Sequence, residues 1–392
     1  MNAEYLRTLP TIREFFKIKE TGELQEGTRL LLEAMTEITI PSGEDVVTFG
    51  EPSDDGMYII LEGTTDVLAN DGKLINTLGV GDFIGELGLI NDDTRGATVR
   101  ASGQVRCANI SKALFDEIAM KNRKIYGSFM NMLYTKTTKL VTEQERIKSE
   151  LEIATRIQAG CLEDDFTTVN QLPNVNLTAR MRPAKEVGGD FYDVFMIDDS
   201  HLCFLIADVS GKGVPAALFM SMAKIHIKNY AALGLPLAEV VSRANDNLCY
   251  KNEEGMFVTA FVCVLDVETG DVNFVNAGHN LPFISKGNEE FSMIQAKANL
   301  VLGLMEGVPY REQHIQLEPG DSIYLYTDGV TEALNPQQQL LGDDYLKDML
   351  NRHRADAANV EVFVQAMYQE VDAFAAGETQ ADDITMVYLS RK

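Results

Sequence analysis

The chain has 392 residues, 45% of them apolar, and a formal net charge of −25. That length exceeds what one hydrophobic core usually serves, so two domains and a connector are expected. The acidity disfavours nonspecific attraction to nucleic acid or to an anionic membrane surface, and no apolar run approaches membrane-spanning length.

The start, Met1 to Pro10, lacks the basic-then-apolar signature of a signal peptide. Leu30-Leu31-Leu32 reads as helical. From about Glu37 to Ile110, short alternating runs such as Met57-Tyr58-Ile59-Ile60-Leu61 are broken by glycine turns, and Asn70-Asp71-Gly72 suits a tight hairpin. This predicts a small antiparallel β module. Lys112 to Lys139 is rich in helix formers, and from Leu133 an apolar residue recurs every seven positions through Leu140, Ile147, Ala154 and Cys161. The companion seam positions, Thr137, Gln144, Leu151 and Gln158, are mixed, which leaves a parallel homodimer and a helix packed on its own domain both open. Five cysteines, Cys107, Cys161, Cys203, Cys249 and Cys263, are scattered and mostly inside apolar runs, which suits reduced thiols in a cytoplasmic protein.

Beyond Asp164 strand runs dominate: Leu177 to Met181, Phe191 to Ile197, Leu202 to Ala207, Phe257 to Val267, Val272 to Asn276, Ser322 to Tyr326 and Ile384 to Leu389. The turns Asp198-Asp199-Ser200 and Glu268-Thr269-Gly270 leave no room for a crossover helix, so neighbouring strands should be antiparallel. Helices are predicted over Val214 to Ala232, Pro236 to Tyr250, Asp343 to Arg352 and Val360 to Phe374. Strands apolar on both faces must be covered on both faces, so the expected fold is α+β: two stacked antiparallel sheets with helices outside.

Asp190, Asp208, Asp328 and Asp382 each stand where an apolar run breaks into a turn, with no histidine or cysteine beside them. Gathered carboxylates repel one another without a cation, and oxygen-only ligands suit hard ions such as Mg²⁺ or Mn²⁺. Any single Asp-Gly pair has a simpler reading as turn chemistry. A cysteine-phosphatase mechanism would need an arginine six positions after a cysteine, and none of the five has one.

Pro183-Ala184, Gly188-Gly189-Asp190-Phe191-Tyr192-Asp193, Asp208-Val209-Ser210-Gly211-Lys212-Gly213, Asn276-Ala277-Gly278-His279-Asn280, Tyr326-Thr327-Asp328-Gly329 and Asp382-Asp383-Ile384-Thr385 together resemble the metal-dependent (PPM, type 2C-like) protein serine/threonine phosphatases of the bacterial stress and sporulation branch. The similarity runs from about Leu151 to the C-terminus. It implies an α-β-β-α sandwich and two ions, Mn²⁺ or Mg²⁺. Asp208 would bridge them, the Val209 carbonyl and Asp190 would hold the second, and Asp328 with Asp382 would complete the first. Asp383 adjoins the last ligand and leaves the choice between Asp382 and Asp383 open. The implied substrate is a phosphoserine or phosphothreonine on a regulatory protein such as a STAS-type anti-sigma-factor antagonist. His279 is read as a loop-holding residue rather than a general acid, and Lys212 is left outside the catalytic set.

In the front module, Gly85-Glu86-Leu87-Gly88-Leu89 followed by Arg95-Gly96-Ala97-Thr98 resembles the phosphate-binding cassette of cyclic nucleotide-binding domains. The resemblance implies backbone N–H groups around Gly85, Leu87 and Ala97 cradling a cyclic phosphate, Arg95 pairing with it, and Glu86 accepting a ribose hydroxyl. Thr94 replaces the usual proline, and Gly96 the usual small or hydroxylated residue; without a threonine after Arg95, cyclic AMP is favoured over cyclic GMP. The alternative is a β-roll without ligand, Glu86 and Arg95 forming an ordinary ion pair. The expected organisation is thus a cyclic nucleotide-binding-like domain over 1–125, a helical linker over 126–165 and a phosphatase domain over 166–392. Two competing functions are a cyclic-nucleotide-responsive scaffold without catalysis and a phosphatase whose front module only dimerises.

Overall fold

Alternation along single strands sets the layering of the C-terminal part of the computed structural model. In the strand His201–Val209, Leu202, Phe204 and Ile206 enter one core while Cys203, Leu205 and Ala207 enter another. In Ser322–Tyr326 and Ile384–Arg391, Ile323, Leu325, Val387 and Leu389 join the first core, whereas Tyr324, Tyr326, Met386 and Tyr388 face a third. The first core is therefore the interior of a sandwich. The second is covered by helices Val214–Ala231 and Leu237–Cys249, the third by Gly342–Arg352 and Val360–Ala375. Each fully buried large apolar side chain contributes about 1.5–3 kcal/mol, so a strand buried on both faces is strongly held.

One antiparallel sheet runs Phe191–Met196, His201–Val209, Val258–Asp266, Asp271–Ala277, Gln313–Gln316 in spatial order. The other runs Ser292–Met293, Phe283–Ser285, Ser322–Tyr326, Ile384–Arg391, Val175–Arg182. Every predicted strand and helix of this region is present, and the α-β-β-α arrangement is as expected. Three short strands went unpredicted: Phe283–Ser285, Ser292–Met293 and Gln313–Gln316.

The structure describes all residues other than 1–4, 6–7, 17, 19–23, 92 and 288, so the first residues assigned to the front module lie outside the described residues. The chain divides into two compact units, Met1–Ile147 and Lys148–Lys392. The first holds two four-stranded antiparallel sheets. Its Asn70-Asp71-Gly72 turn joins Thr65–Leu68 to Leu74–Leu78, with Gly72 at φ +82°. The predicted helical stretch from Lys112 is broken once, into Lys112–Lys121 and Arg123–Ala159. Asn122 between them is extended, and its Oδ1 accepts the Lys124 N–H at 3.0 Å, so it ends one helix and caps the next.

Along Arg123–Ala159 the heptad seam is used by the chain itself at both ends. Leu133 packs in the core of the first unit and Gln158 is buried in the second, while Leu140 and Ile147 are 59% and 47% exposed. Among the described residues no helix is long and apolar enough to cross a membrane, and all five cysteines are free thiols.

Candidate metal centre and nucleotide pocket

Antiparallel register carries the four aspartates to one end of the sandwich. Phe191 pairs with Ala207, so Asp190, just before one strand, comes beside Asp208, near the end of the next. Tyr326 pairs with Met386, which likewise brings the turn at Asp328 beside the Asp382-Asp383 turn. The two sheets are then tied across the interior: Thr327 Oγ1 and Thr385 Oγ1 donate to Asp190 Oδ2 at 2.7 and 2.6 Å.

The electrostatics are those of crowded acids. Asp190 is 1% exposed, and burial, with Asp208 next to it, holds its carboxyl well above the usual range against the pull of the two threonine hydroxyls. Burial followed by Asp328 and Asp382 pushes Asp208 up to about 7. Asp328 is raised by burial, then by Glu332 and Asp382. Among the described residues, no three His, Cys, Asp or Glu side chains are spaced to hold one metal ion by themselves. A small hard cation that keeps several waters needs only one or two carboxylates. Asp190 beside Asp208, and Asp328 beside Asp382, offer such pairs of oxygen ligands.

Asp383 does different work from its neighbour. Its Oδ1 accepts the Ala184 N–H at 2.7 Å, and its Oδ2 accepts those of Gly189 and Asp190 at 2.6 and 3.3 Å. A Cβ on Gly188 would lie 2.5 Å from that Oδ2, so the turn needs glycine there for the approach. Asp382 instead meets Lys212 Nζ at 2.8 Å, and the same ammonium donates to Ala381 O at 2.6 Å. Lys212 thereby ties the Asp208 to Gly213 loop to the Asp382 turn. Val209 O lies 3.0 Å from where a Cβ on Gly189 would be, which puts that carbonyl beside the Asp190 turn.

His279 is buried, with Nδ1 2.9 Å from Thr259 Oγ1 and Nε2 3.1 Å from Tyr326 O. A carbonyl can only accept, so Nε2 carries the proton and Nδ1 accepts from the threonine. Burial pushes the imidazole down to about 4, so it is neutral at physiological pH and occupied at both nitrogens. This agrees with the loop-holding role. Because its folded pKa lies below the unfolded value of ~6.5, the unfolded chain binds the extra proton between those values, and stability falls as pH drops from ~6.5 to ~4. Urea melts at both ends of that window should show the wild type losing about 3 kcal/mol relative to His279→Gln as the pH drops, since the variant lacks this titration.

Sequence reasoning passed over a buried ion pair behind the site. Asp193, inside the Gly188-to-Asp193 motif, is 1% exposed and meets Lys224 Nζ at 2.5 Å. The available signal was a lysine inside the apolar helix Val214–Ala231, where a charge needs a buried partner.

In the front unit, Gly85, Glu86, Leu87, Arg95 and Ala97 do line one cavity, of about 420 Å³. Glu86 and Arg95 do not pair with each other, contrary to the ligand-free alternative. Glu86 meets Lys136 Nζ at 2.5 Å, and Arg95 is paired with Asp55 while donating to Gly85 O at 3.0 Å and Gly56 O at 2.6 Å. Arg95 Nε is buried and has no partner among the described residues. A cavity of this size has room for a small ligand.

Comparison with known proteins places this architecture. A family model described as stage II sporulation protein E (SpoIIE) matches residues 198–392, and a cyclic nucleotide-binding domain model matches 37–122. Phosphoserine phosphatase RsbU of Bacillus subtilis (strain 168) is 32% identical over 262 residues, 67% of this chain and 76% of that protein. Phosphoserine phosphatase RsbP of the same organism is 25% identical over 205 residues, 51% of this chain and 49% of that protein. The solved SiaA-PP2C domain of Pseudomonas aeruginosa superposes with a TM-score of 0.56 at 23% identity, covering 63% of this chain and 98% of that one. The sandwich and these relatives define a PP2C-type protein serine/threonine phosphatase. The chain belongs to the SpoIIE family of these enzymes, and its front unit carries a cyclic nucleotide-binding domain.

Proposed function

We propose that this phosphatase removes phosphate from a phosphoserine or phosphothreonine on a small regulatory protein of the STAS-type anti-sigma-factor antagonist kind, under control of a cyclic nucleotide bound in front. The reading is carried by one observation: strand register and mutual electrostatics bring Asp190, Asp328 and Asp382, from three other strand ends, beside Asp208. Asp190, Asp208, Asp328, Asp382 and the Val209 carbonyl would hold two divalent ions, Mn²⁺ or Mg²⁺. Of the adjacent pair, Asp382 is assigned as the ligand, because Asp383 spends its two oxygens on three backbone N–H groups of the facing turn, whereas those of Asp382 meet only the Lys212 ammonium and one neighbouring N–H. When bound, such ions supply the Lewis acidity that activates water and neutralises phosphoryl charge, so no protein nucleophile is needed. Thr327 and Thr385 aim Asp190 and favour its ionised form. Lys212 holds the Asp208 loop against the Asp382 turn.

In the front unit, a cyclic phosphate would compete with Asp55 for Arg95 and a ribose hydroxyl with Lys136 for Glu86. Cyclic AMP remains favoured over cyclic GMP. Exposed Leu140 and Ile147 support a homodimer through the connecting helix, and the free thiols support a cytoplasmic location. The test is phosphate release by the full chain from a serine-phosphorylated STAS-type protein, with Mn²⁺, with and without cyclic AMP or cyclic GMP. Mn²⁺-dependent release altered by cyclic AMP is expected. No release with any divalent ion would favour the scaffold. Release indifferent to both nucleotides, with no calorimetric heat on adding either, would leave the front unit a dimerisation module.

A further inference from the structure

We propose that Gln158 is a positioning residue that fixes the Gly188-Gly189-Asp190 turn for metal binding, an inference that rests on reading Asp190 as a metal ligand. Gln158 sits in the last turn of the helix Arg123–Ala159, at a heptad position where a seam residue would face another helix. It is instead 7% exposed, and its carboxamide grips one residue at both backbone groups. Nε2 donates to Gly188 O at 2.6 Å, and Gly188 N–H donates to Oε1 at 3.0 Å. One turn earlier, Thr155 Oγ1 donates to Glu186 O at 2.6 Å, sharing its proton with Leu151 O at 2.9 Å.

The far side of the same turn is held by Asp383, which takes the Gly189 and Asp190 N–H groups. Two glycines in succession give this backbone great conformational freedom, and they present no side chain by which packing could restrain it. The turn is therefore held by polar anchors on its two sides, Gln158 on one and Asp383 on the other. A glutamine used only for helix propensity would leave its amide in water; here both of its polar atoms are spent on the residue two before Asp190. Misplacing a binding carboxylate by about 1 Å is costly for a site of this kind.

The experiment uses the full chain stripped of metal, comparing wild type with Gln158→Met, which keeps the volume and removes both hydrogen bonds. Gln158→Asn, whose amide is one methylene too short to reach both backbone groups of Gly188, is the second variant. Hydrogen exchange at the Gly188 amide without metal should accelerate at least about tenfold in Gln158→Met and in Gln158→Asn. Calorimetric Mn²⁺ affinity should fall about tenfold in Gln158→Met, and turnover at saturating Mn²⁺ should stay within about threefold of wild type. Wild-type exchange at Gly188 and wild-type Mn²⁺ affinity in Gln158→Met would overturn the proposal. Should Gln158→Met not fold, wild-type Mn²⁺ affinity in Gln158→Asn would overturn it, because the two-sided grip is gone there as well. Asp190→Asn separates the two levels: if it binds Mn²⁺ as the wild type does, the metal reading fails. If Asp190→Asn loses affinity while Gln158→Met does not, the role of Gln158 fails alone.

Discussion

Asp208→Asn is expected to cut turnover by on the order of 10³-fold or more while raising the melting temperature of the metal-free protein. Both effects have one cause. The Asp208 carboxyl is pushed up to about 7 by burial and then by Asp328 and Asp382, so its charge is unwelcome in the empty site and required in the loaded one. A neutral amide of the same shape removes repulsion worth about 1–2 kcal/mol, a rise of about 2–6 °C for a domain of this size. The pH dependence follows with its sign. The folded pKa lies above the unfolded value of ~3.9, so the folded state holds the proton longer and the metal-free wild type loses stability as pH rises from ~4 to ~7. Asp208→Asn lacks that contribution. Calorimetric melts at pH 5 and pH 8 without metal, beside a phosphate-release assay with Mn²⁺, read both effects. A variant that is less stable than wild type at pH 8 would contradict the account.

Gly329→Ala should be strongly damaging to the phosphatase unit. A Cβ there would stand 1.9 Å from Asp383 O and 2.8 Å from Asp383 C. These are backbone atoms of the neighbouring turn and cannot rotate away as a side-chain end could. Relief requires the Asp328 turn to separate from the Asp382-Asp383 turn, at a cost of about 3 kcal/mol or more. The expected outcome is a melting temperature lower by about 6–12 °C and little activity even at high Mn²⁺. Gly103→Ala, where a Cβ would meet nothing within 4 Å, should behave as wild type. Equal melting of the two variants would show that the turns are not packed as described.

The layers were legible because strands such as Leu202-Cys203-Phe204-Leu205-Ile206-Ala207 are apolar at every position, which only burial on both faces explains. Gln313–Gln316 was not, since an edge strand reading Gln-His-Ile-Gln has a single apolar residue and no alternation to detect. Ser292–Met293 is too short to carry a period. In the site, the aspartates were visible as turn residues after apolar runs. The division of labour between Asp382 and Asp383 was not, because it depends on the backbone of Ala184, Gly189 and Asp190, nearly two hundred residues away. Glu86 and Arg95 were legible as a cassette, but their partners Lys136 and Asp55 lie fifty and forty residues distant, beyond any motif. Which of its two open readings Gln158 follows was not legible for a similar reason: a seven-residue period assigns a helix face and cannot say which neighbour takes it.

Calorimetric titration of Mn²⁺ into the metal-stripped full chain, wild type beside Asp208→Asn, Asp328→Asn and Asp382→Asn, bears most directly on whether these acids form one cation site. Saturable binding to the wild type, lost in Asp208→Asn and weakened by at least about tenfold in each of the other two, is the predicted result. Unchanged Mn²⁺ binding in Asp208→Asn would contradict the shared site and, with it, the mechanism built upon it.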